Sequence, residues 1–377
     1  MEVRCIALRR FRNYELAEAS LSPGINVISG KNAQGKTNLL ESVYLLSCGR
    51  SFRTRFDREM IAFDSNMAEI SAGVLSENRE QTLKMTLRRG QKKQIVRNGA
   101  KIPALELSRS LRTVLFCPDD LGMIKQGAAE RRRLMDSAIA QLRPGYARLL
   151  SDYNRLYENK LRILRDYASD RAMLSSLDDF SDGLCRVSAQ MIRYRYSFSR
   201  RLEEKAAKIC SDFSGYGERL GIRYVTVSTV TDPSAPAGQI YEQLLEHFKN
   251  HREAEIASGT CLTGAHKDDL EISINGSSAR SFASQGQTRT AALSVKLAER
   301  EIFLEETGEY PVLLLDDVLS ELDPARQEFV LNRIGGGQTL ITCCEDEKII
   351  ERTGGRVIFI SDGKIIQNAP FVPKQEV

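Results

Sequence analysis

Short β-branched and alternating runs occupy both ends of the chain, and a helical period occupies its middle. "INVISG" (25–30) is a compact apolar run closed by glycine and predicts a buried strand. "KTNLLESVYLLSCG" after it predicts a helix stopped by Gly49. "AEISAGVL" and "TLKMTLRRG" alternate and predict antiparallel strands with polar turns. From about Gly122 to Gly215 the period changes. Leu184, Val187, Met191, Tyr194, Phe198, Leu202, Ala206, Ile209 and Phe213 recur every three or four residues, as one face of a long helix does. Tyr153, Leu156, Tyr157, Leu161, Leu164 and Tyr167 form a similar stripe just before it, and "SSLDDFSDG" separates the two, so a helical hairpin is expected. "TDPSAPAG" (231–238) is the best candidate for a linker. After about Ser258 the strand texture returns. "DLEISING" ends in Asn-Gly, a hairpin signal, "YPVLLLDD" is the most hydrophobic strand, and "GQTLITCCE" and "GRVIFISDGKII" predict further strands. The expected architecture is an α/β head assembled from residues 1–120 and 258–377, mixed sheets plus helices, with 121–257 inserted as a helical lobe that carries the hairpin.

Composition changes this picture little. The chain has 377 residues, of which 42% are hydrophobic and 28% charged, as in ordinary soluble proteins. The opening "MEVRCIALRRFRNY" holds no apolar run of signal-peptide length, and no stretch of about 18 apolar residues suggests a membrane span. Eight scattered cysteines with no Cys-x-x-Cys pair argue against zinc, and a reducing cytoplasm is expected. A net charge of +4 does not by itself point to nucleic acid.

The chemistry starts at "GKNAQGKT" (30–37), which fits G-x-x-x-x-G-K-[ST] in full and lies between a predicted strand and a predicted helix. Gly30 and Gly35 let the backbone curl so that the N–H groups of Lys31, Asn32, Ala33 and Gln34 can surround a phosphate. The helix start adds partial positive charge, Lys36 can reach the β- and γ-phosphates, and the Thr37 hydroxyl can ligate Mg²⁺. ATP and Mg²⁺ are the expected cofactors. "VLLLDD" then sets Asp316 and Asp317 at the end of an apolar strand, where paired carboxylates are costly without a cation or proton. Asp316 is the candidate Mg²⁺ ligand and Asp317 the group that polarises attacking water, with Lys36 as its catalytic companion. Capping of the turn "VLSELD" is the plainer role for both acids.

"SFASQGQTRTAALSVKLAE" raises a separate question, because Ser284-Gln285-Gly286-Gln287 opens a second helix that could receive phosphate. An ordinary cap by Ser284 would also explain it. In the order phosphate loop, "SQGQ", acidic strand, "SELD", the set resembles the ABC ATPase superfamily, whose signature motif and D-loop the last elements match. The blocks "LRRFRNY", "GKNAQGKTNLLESVYLLSCGRSFRT", "FCPDDLGMIKQGAAERRRLMD", "TGAHKDDL" and "SQGQTRTAALSVKLAE" with "PVLLLDDVLSELD" run nearly the whole chain and resemble the RecF family of bacterial recombination mediators. That resemblance implies an ABC-type P-loop ATPase head with an inserted helical arm. It also implies a cytoplasmic homodimer formed on ATP, slow ATP hydrolysis, and binding of single-stranded and gapped or junction DNA without sequence preference. RecR and RecO are the implied partners, with RecA loading in repair as the outcome, and no membrane. It further implies Gly30, Asn32, Gly35, Lys36, Thr37 and Asn38 as the nucleotide loop, Arg12 and Asn13 of "FRNY" near the nucleotide, and Ser284, Gly286 and Gln287 as a cover for the partner subunit's nucleotide. Two blocks depart from pattern: "LITCCE" stands where the superfamily has its switch histidine, and "TGAHKDD" leaves His266 and Lys267 without an assigned role.

Three basic runs are candidates for DNA: "RSFRTRFDR" with Arg50, Arg53, Arg55 and Arg58; "AERRRLMD" with Arg131, Arg132 and Arg133; and "RYRYSFSRR" with Arg193, Arg195, Arg200 and Arg201. Solvated helix faces would carry the same charges. No base-reading motif is present, so contacts to backbone and shape are expected. Two other readings share these motifs: the ATPase subunit of another ABC machine (a transporter or SMC-like protein), and ATP as a structural ligand.

Overall fold

The structure, a computed structural model, describes residues 1–166, 171–344 and 352–367. The chain forms two compact units, one from Met1–Asp120 with Glu299–Val377 and one from Leu121–Ala298. The second boundary falls after Ala298 rather than after Ala257.

The first unit carries two six-stranded sheets. One is antiparallel, in the order β2-β1-β4-β5-β6-β7, from β1 (Glu2–Phe11), β2 (Tyr14–Ser20), β4 (Met67–Ser76), β5 (Arg79–Arg88), β6 (Gln94–Arg97) and β7 (Ala100–Lys101). The other runs β15-β14-β3-β13-β12-β8, from β3 (Ile25–Ser29), β8 (Thr113–Phe116), β12 (Val312–Asp316), β13 (Thr339–Cys343), β14 (Arg356–Ser361) and β15 (Lys364–Gln367). All its neighbours are parallel except the β14–β15 pair. Helix α1 (Lys36–Cys48) packs into the same core as both sheets, through Leu39, Leu40, Val43, Leu45 and Leu46. That double cover explains the unbroken apolar runs: every residue of β12 and of β13 is buried. Parallel strands end on the same edge. Ser29 pairs with Cys343, and Asp316 with Thr342, so the phosphate loop and the acidic strand end emerge side by side.

The second unit holds α2 (Gly122–Lys125), α3 (Ala128–Leu142), α4 (Pro144–Asp166), α5 (Leu177–Phe213), α6 (Ala237–Ser258) and α7 (Ala279–Phe282), with β9 (Leu220–Val225), β10 (Asp269–Ile274) and β11 (Ser277–Ser278) in a small sheet. Helix α8 (Gln285–Thr307) starts here, and α9 (Pro324–Arg333) belongs to the first unit. Strand β10 pairs with β9 along its length, which ties the residues after Ser258 to this lobe and moves the boundary. The "TDPSAPAG" segment accordingly joins β9 to α6 inside one unit and links no domains. The Asn275-Gly276 turn has positive φ at both residues, as the hairpin signal requires.

Helices α4 and α5 form the expected hairpin, but α5 starts at Leu177, so much of the supposed separator is helical. Leu184, Met191, Phe198, Leu202, Ala206 and Ile209 are buried along it. Tyr194 breaks the stripe, 37% exposed, and its neighbour Arg195 takes the inward position. Tyr167 lies outside the described residues.

Arg195 is therefore no surface cation. Its guanidinium grips both Asp136 oxygens at 2.9 Å and Asp268 Oδ2 at 2.6 Å. Asp268 also accepts from Tyr224 at 2.5 Å and Thr226 at 2.7 Å. Burial raises the Asp268 pKa, while Arg195 and the two hydroxyls favour its ionised form. This knot joins α3, α5, β9 and the "TGAHKDD" block. His266 belongs to it too: Nε2 donates to the Cys261 carbonyl at 2.9 Å, and Nδ1 accepts from the Tyr153 hydroxyl at 2.7 Å.

Burial holds the His266 imidazole down at about 4. An unfolded histidine titrates near 6.5, so the unfolded chain takes up a proton as pH falls from about 6.5 to about 4 while the folded chain does not. The stabilisation is whole above that window and is lost on descending through it. Urea unfolding should show the wild type losing about 2 kcal/mol more between pH 7 and pH 5 than His266→Gln does. Equal losses would mean that His266 does not titrate in this way.

Candidate nucleotide site at the carboxyl edge of the parallel sheet

Residues 30–37 link β3 to α1. Gly35 caps the helix in a left-handed conformation, φ +118. A Cβ at Gly30 would lie 2.3 Å from the Ile360 carbonyl oxygen, so only glycine lets the loop pass β14 that closely. Lys31, Asn32 and Ala33 form the exposed lip, Ala33 with φ 65. Lys36 is buried and curls back over the loop: Nζ donates to the carbonyls of Gly30 at 2.5 Å and Lys31 at 2.9 Å. Nζ also lies 3.4 Å from Cys344 Sγ, which is 2.8 Å from Asn32 Oδ1. An ammonium folded over the loop backbone at a helix start is a fitting cradle for phosphate.

Thr37 Oγ1 donates to Asp316 Oδ1 at 2.9 Å, and Thr342 Oγ1 donates to the same oxygen at 2.8 Å. Burial raises the Asp316 pKa and the hydroxyls oppose it, while the adjacent Asp317 raises it further. A hydroxyl and a buried carboxylate side by side form a hard-oxygen pair suited to Mg²⁺. Asp317 sits at φ 54, its N–H bonded to Thr342 Oγ1 at 2.8 Å and its carboxylate accepting from Ser320 at 2.7 Å. The left-handed turn separates the two acids, one aimed at Thr37 and the other toward the following turn. Thr342 escaped the sequence reading, because strand register alone puts it opposite Asp316.

The "FRNY" block closes one flank of the loop. Asn13 Nδ2 donates to Gln34 O and Asn13 Oδ1 accepts from Asn38, each at 2.8 Å, and Tyr14 O–H donates to Gly35 O at 2.9 Å. Arg12 grips Glu41 at 2.6 and 2.8 Å and donates to Glu59 O at 2.8 Å. Glu41 is fully buried in α1, accepts also from Ser51, and lies 3.6 Å from Arg53. Its signal was present, a charge amid "LLESVYLL", but only the fold supplies its partners. Gln34 is held besides by the backbone of Asp362 and Gly363, beyond β14.

The remaining expected residues divide. Arg53 donates to Asn38 at 2.7 Å and so belongs to the loop's surroundings, while Arg50 and Arg55 are exposed. Arg131 is withdrawn as a DNA contact: it is buried, bidentate to Asp269 at 2.6 and 2.9 Å, with further bonds to Met123 and Gln126 carbonyls. Arg132 is half-buried and donates to Asp268 O at 2.8 Å. Within the second unit, Ser284 and Gln287 cap α8 reciprocally, with Ser284 Oγ accepting from Gln287 N at 3.2 Å and Gln287 Oε1 from Ser284 N at 3.0 Å. Gly286 lies in the first turn.

This geometry agrees with known proteins. The model of the RecF/RecN/SMC N terminal domain matches residues 2–360. The DNA replication and repair protein RecF of Clostridioides difficile is 36% identical over 97% of this chain and 98% of its own length. That of Bacillus subtilis is 37% identical, over 94% and 96%. The chain belongs to the RecF family. A solved structure of the recombination mediator protein RecF-ATP in the RecFOR pathway superposes with TM-score 0.89 at 32% identity, covering 97% of each chain. An Smc head domain from Pyrococcus furiosus, TM-score 0.55 at 16% identity over 97% of this chain and 95% of its own, shares the fold. The expected ABC-type α/β architecture is thus the observed one.

Lys36→Met should abolish triphosphate binding, because the Lys36 ammonium lies over the loop backbone that would cradle the phosphates. A fluorescent ATP analogue titrated against both proteins checks this, with thermal melting to confirm that the variant folds. Unchanged affinity would remove the phosphate-loop reading.

Proposed function

We propose that this protein is an ATP-gated DNA-binding recombination mediator that dimerises on ATP and hydrolyses it slowly. The observation that carries the reading is the bond of Thr37 Oγ1 to Asp316 Oδ1 at 2.9 Å beside the curled Lys36. It brings an Mg²⁺-type oxygen pair next to a phosphate cradle, in a chain of the RecF family. Lys36 holds the β- and γ-phosphates once it leaves its own loop carbonyls, and Thr37 and Asp316 hold Mg²⁺. The ion would neutralise phosphate charge as it develops. Asp317, outside the Thr37–Asp316 bond, orients the attacking water. Arg12, Asn13, Asn38 and Arg53 keep the loop in shape and line its flank. Ser284, Gly286 and Gln287 cover the nucleotide of a second copy. Two-fold symmetry supports this, since one contact surface then completes both sites. DNA with gaps or single-strand junctions is the macromolecular ligand, RecR and RecO are the partners, and loading of RecA is the outcome.

Asp317→Asn should keep ATP binding and lose most hydrolysis, because the amide preserves shape without the charge that orients water. Turnover at the wild-type rate, measured by phosphate release, would assign the role elsewhere.

Ser284→Arg should bind ATP as a monomer yet fail to dimerise, and sedimentation with ATP, ADP and neither reads this out. Normal ATP-dependent dimerisation of Ser284→Arg would mean that Ser284 only caps α8.

A further inference from the structure

The chain between α1 and β4 exposes two aromatic rings that the fold does not use. Phe63 is fully exposed, at 104%, and Phe56 is 55% exposed. Their neighbours in the same strip behave differently: Met60 and Ile61 are buried and anchor it to the end of β1. Met60 O accepts from Arg12 N, and Ala62 N donates to Arg10 O, both at 2.9 Å. The strip is thus fixed in place, and both rings face water from a rigid support.

Cations surround them. The turn "RRGQKK" (88–93) between β5 and β6 lies against the strip, with Lys93 paired to Asp57 at 2.9 Å and Arg89 Nε donating to Ser65 O at 3.0 Å. Asp57 is neutralised by Lys93 and Asp64 by Arg10, while Glu59 accepts from the Thr54 hydroxyl and is outnumbered by the cations of the strip and turn. Arg58 lies 5.0 Å over the Phe56 ring. Arg55, Arg88 and Lys92 are exposed, and among the described residues none of them is paired with a carboxylate. The surplus charge is positive and stands beside bare rings.

We propose that this strip and turn form a binding surface for single-stranded DNA, with Phe63 and Phe56 stacking on bases and Arg55, Arg88 and Lys92 holding phosphates; this rests on the DNA-binding reading above. The ligand class follows from the pairing of features. A polyanion answers the unmatched cations, and flat apolar faces answer the rings. A duplex offers the charge but keeps its bases inside, which would leave a fully exposed phenylalanine without a mate. A single strand offers both. The surface is also tied to the nucleotide loop: Arg12 bonds Glu41 in α1 with one edge of its guanidinium and the Glu59 carbonyl in the strip with the other. One side chain thus holds the strip to the helix that starts at the loop.

The chain has no tryptophan, so Phe63→Trp introduces a single indole at this position. With ATP present, titration with an oligothymidylate of about 16 nucleotides should quench that indole saturably, and a duplex of equal length should not. The double variant Phe56→Ala, Phe63→Ala should lose about tenfold or more in affinity for the single strand by anisotropy, with an unchanged salt dependence. Arg55→Gln with Lys92→Gln should instead flatten the salt dependence by about 0.7 in log–log slope per cation removed. If the wild type binds no DNA with ATP, the DNA-binding reading itself falls. If the wild type binds but the indole is silent and the alanine variant binds equally well, only this surface is overturned, and its rings then fit a protein partner.

Discussion

The first unit depends on the burial of α1 in the core it shares with both sheets. A helix covered on nearly all sides is held in position and in rotation, and with it the loop at its start. Leu39, Leu40, Val43, Leu45 and Leu46 are fully buried, and each contributes about 1.5–3 kcal/mol on transfer from water. The same helix carries Lys36 and Thr37 on its first turn and Glu41 one turn later. Glu41 would be a costly buried carboxylate alone. Paired in two-pronged fashion with Arg12 and bonded to Ser51, it becomes the fixed point that joins the helix to the end of β1. Apolar packing thus fixes the helix, and one buried ion pair fixes what surrounds the phosphate loop.

The acidic edge follows a second constraint, strand register. Asp316 and Thr342 face each other only because β12 and β13 are parallel and aligned, and Thr37 reaches them because β3 lies next to β13. Three distant segments therefore converge on one carboxylate oxygen, which receives two hydroxyl donors. Burial raises the pKa of Asp316, and those donors favour its charged form. The turn at Asp317 then directs the next side chain elsewhere. Adjacent carboxylates with different surroundings can hold different duties.

Much of this was legible in the sequence, and the misses share a cause. The phosphate loop, the acidic strand, the helical hairpin and the buried apolar strands follow from local patterns of glycine, apolar runs and spacing. What no pattern gave was partnership across the fold. Glu41 stands as a charge without a partner until Arg12 arrives from the turn between β1 and β2. Thr342 reads as a β-branched filler until register sets it opposite Asp316. The domain boundary failed likewise: "DLEISING" has the texture of the head, yet β10 pairs with β9, which follows the long helix. Texture is local and pairing is not.

The arginines carry this argument furthest. In the sequence Arg131, Arg195, Arg53 and Arg55 look alike, each in a basic run. In the fold they part completely. Arg131 and Arg195 are buried on Asp269 and on the Asp136–Asp268 pair, and hold the second unit's elements together. Arg53 leans on Asn38 beside the nucleotide loop, and Arg55 faces water unpaired among the described residues. A buried guanidinium must have its charge answered by carboxylates within the fold, because water cannot do it there. A cation that remains exposed and unmatched on a rigid strip has no such internal partner. Its charge is available to a phosphate at little cost in order, since the backbone that carries it is already fixed by Met60, Ile61 and Arg12.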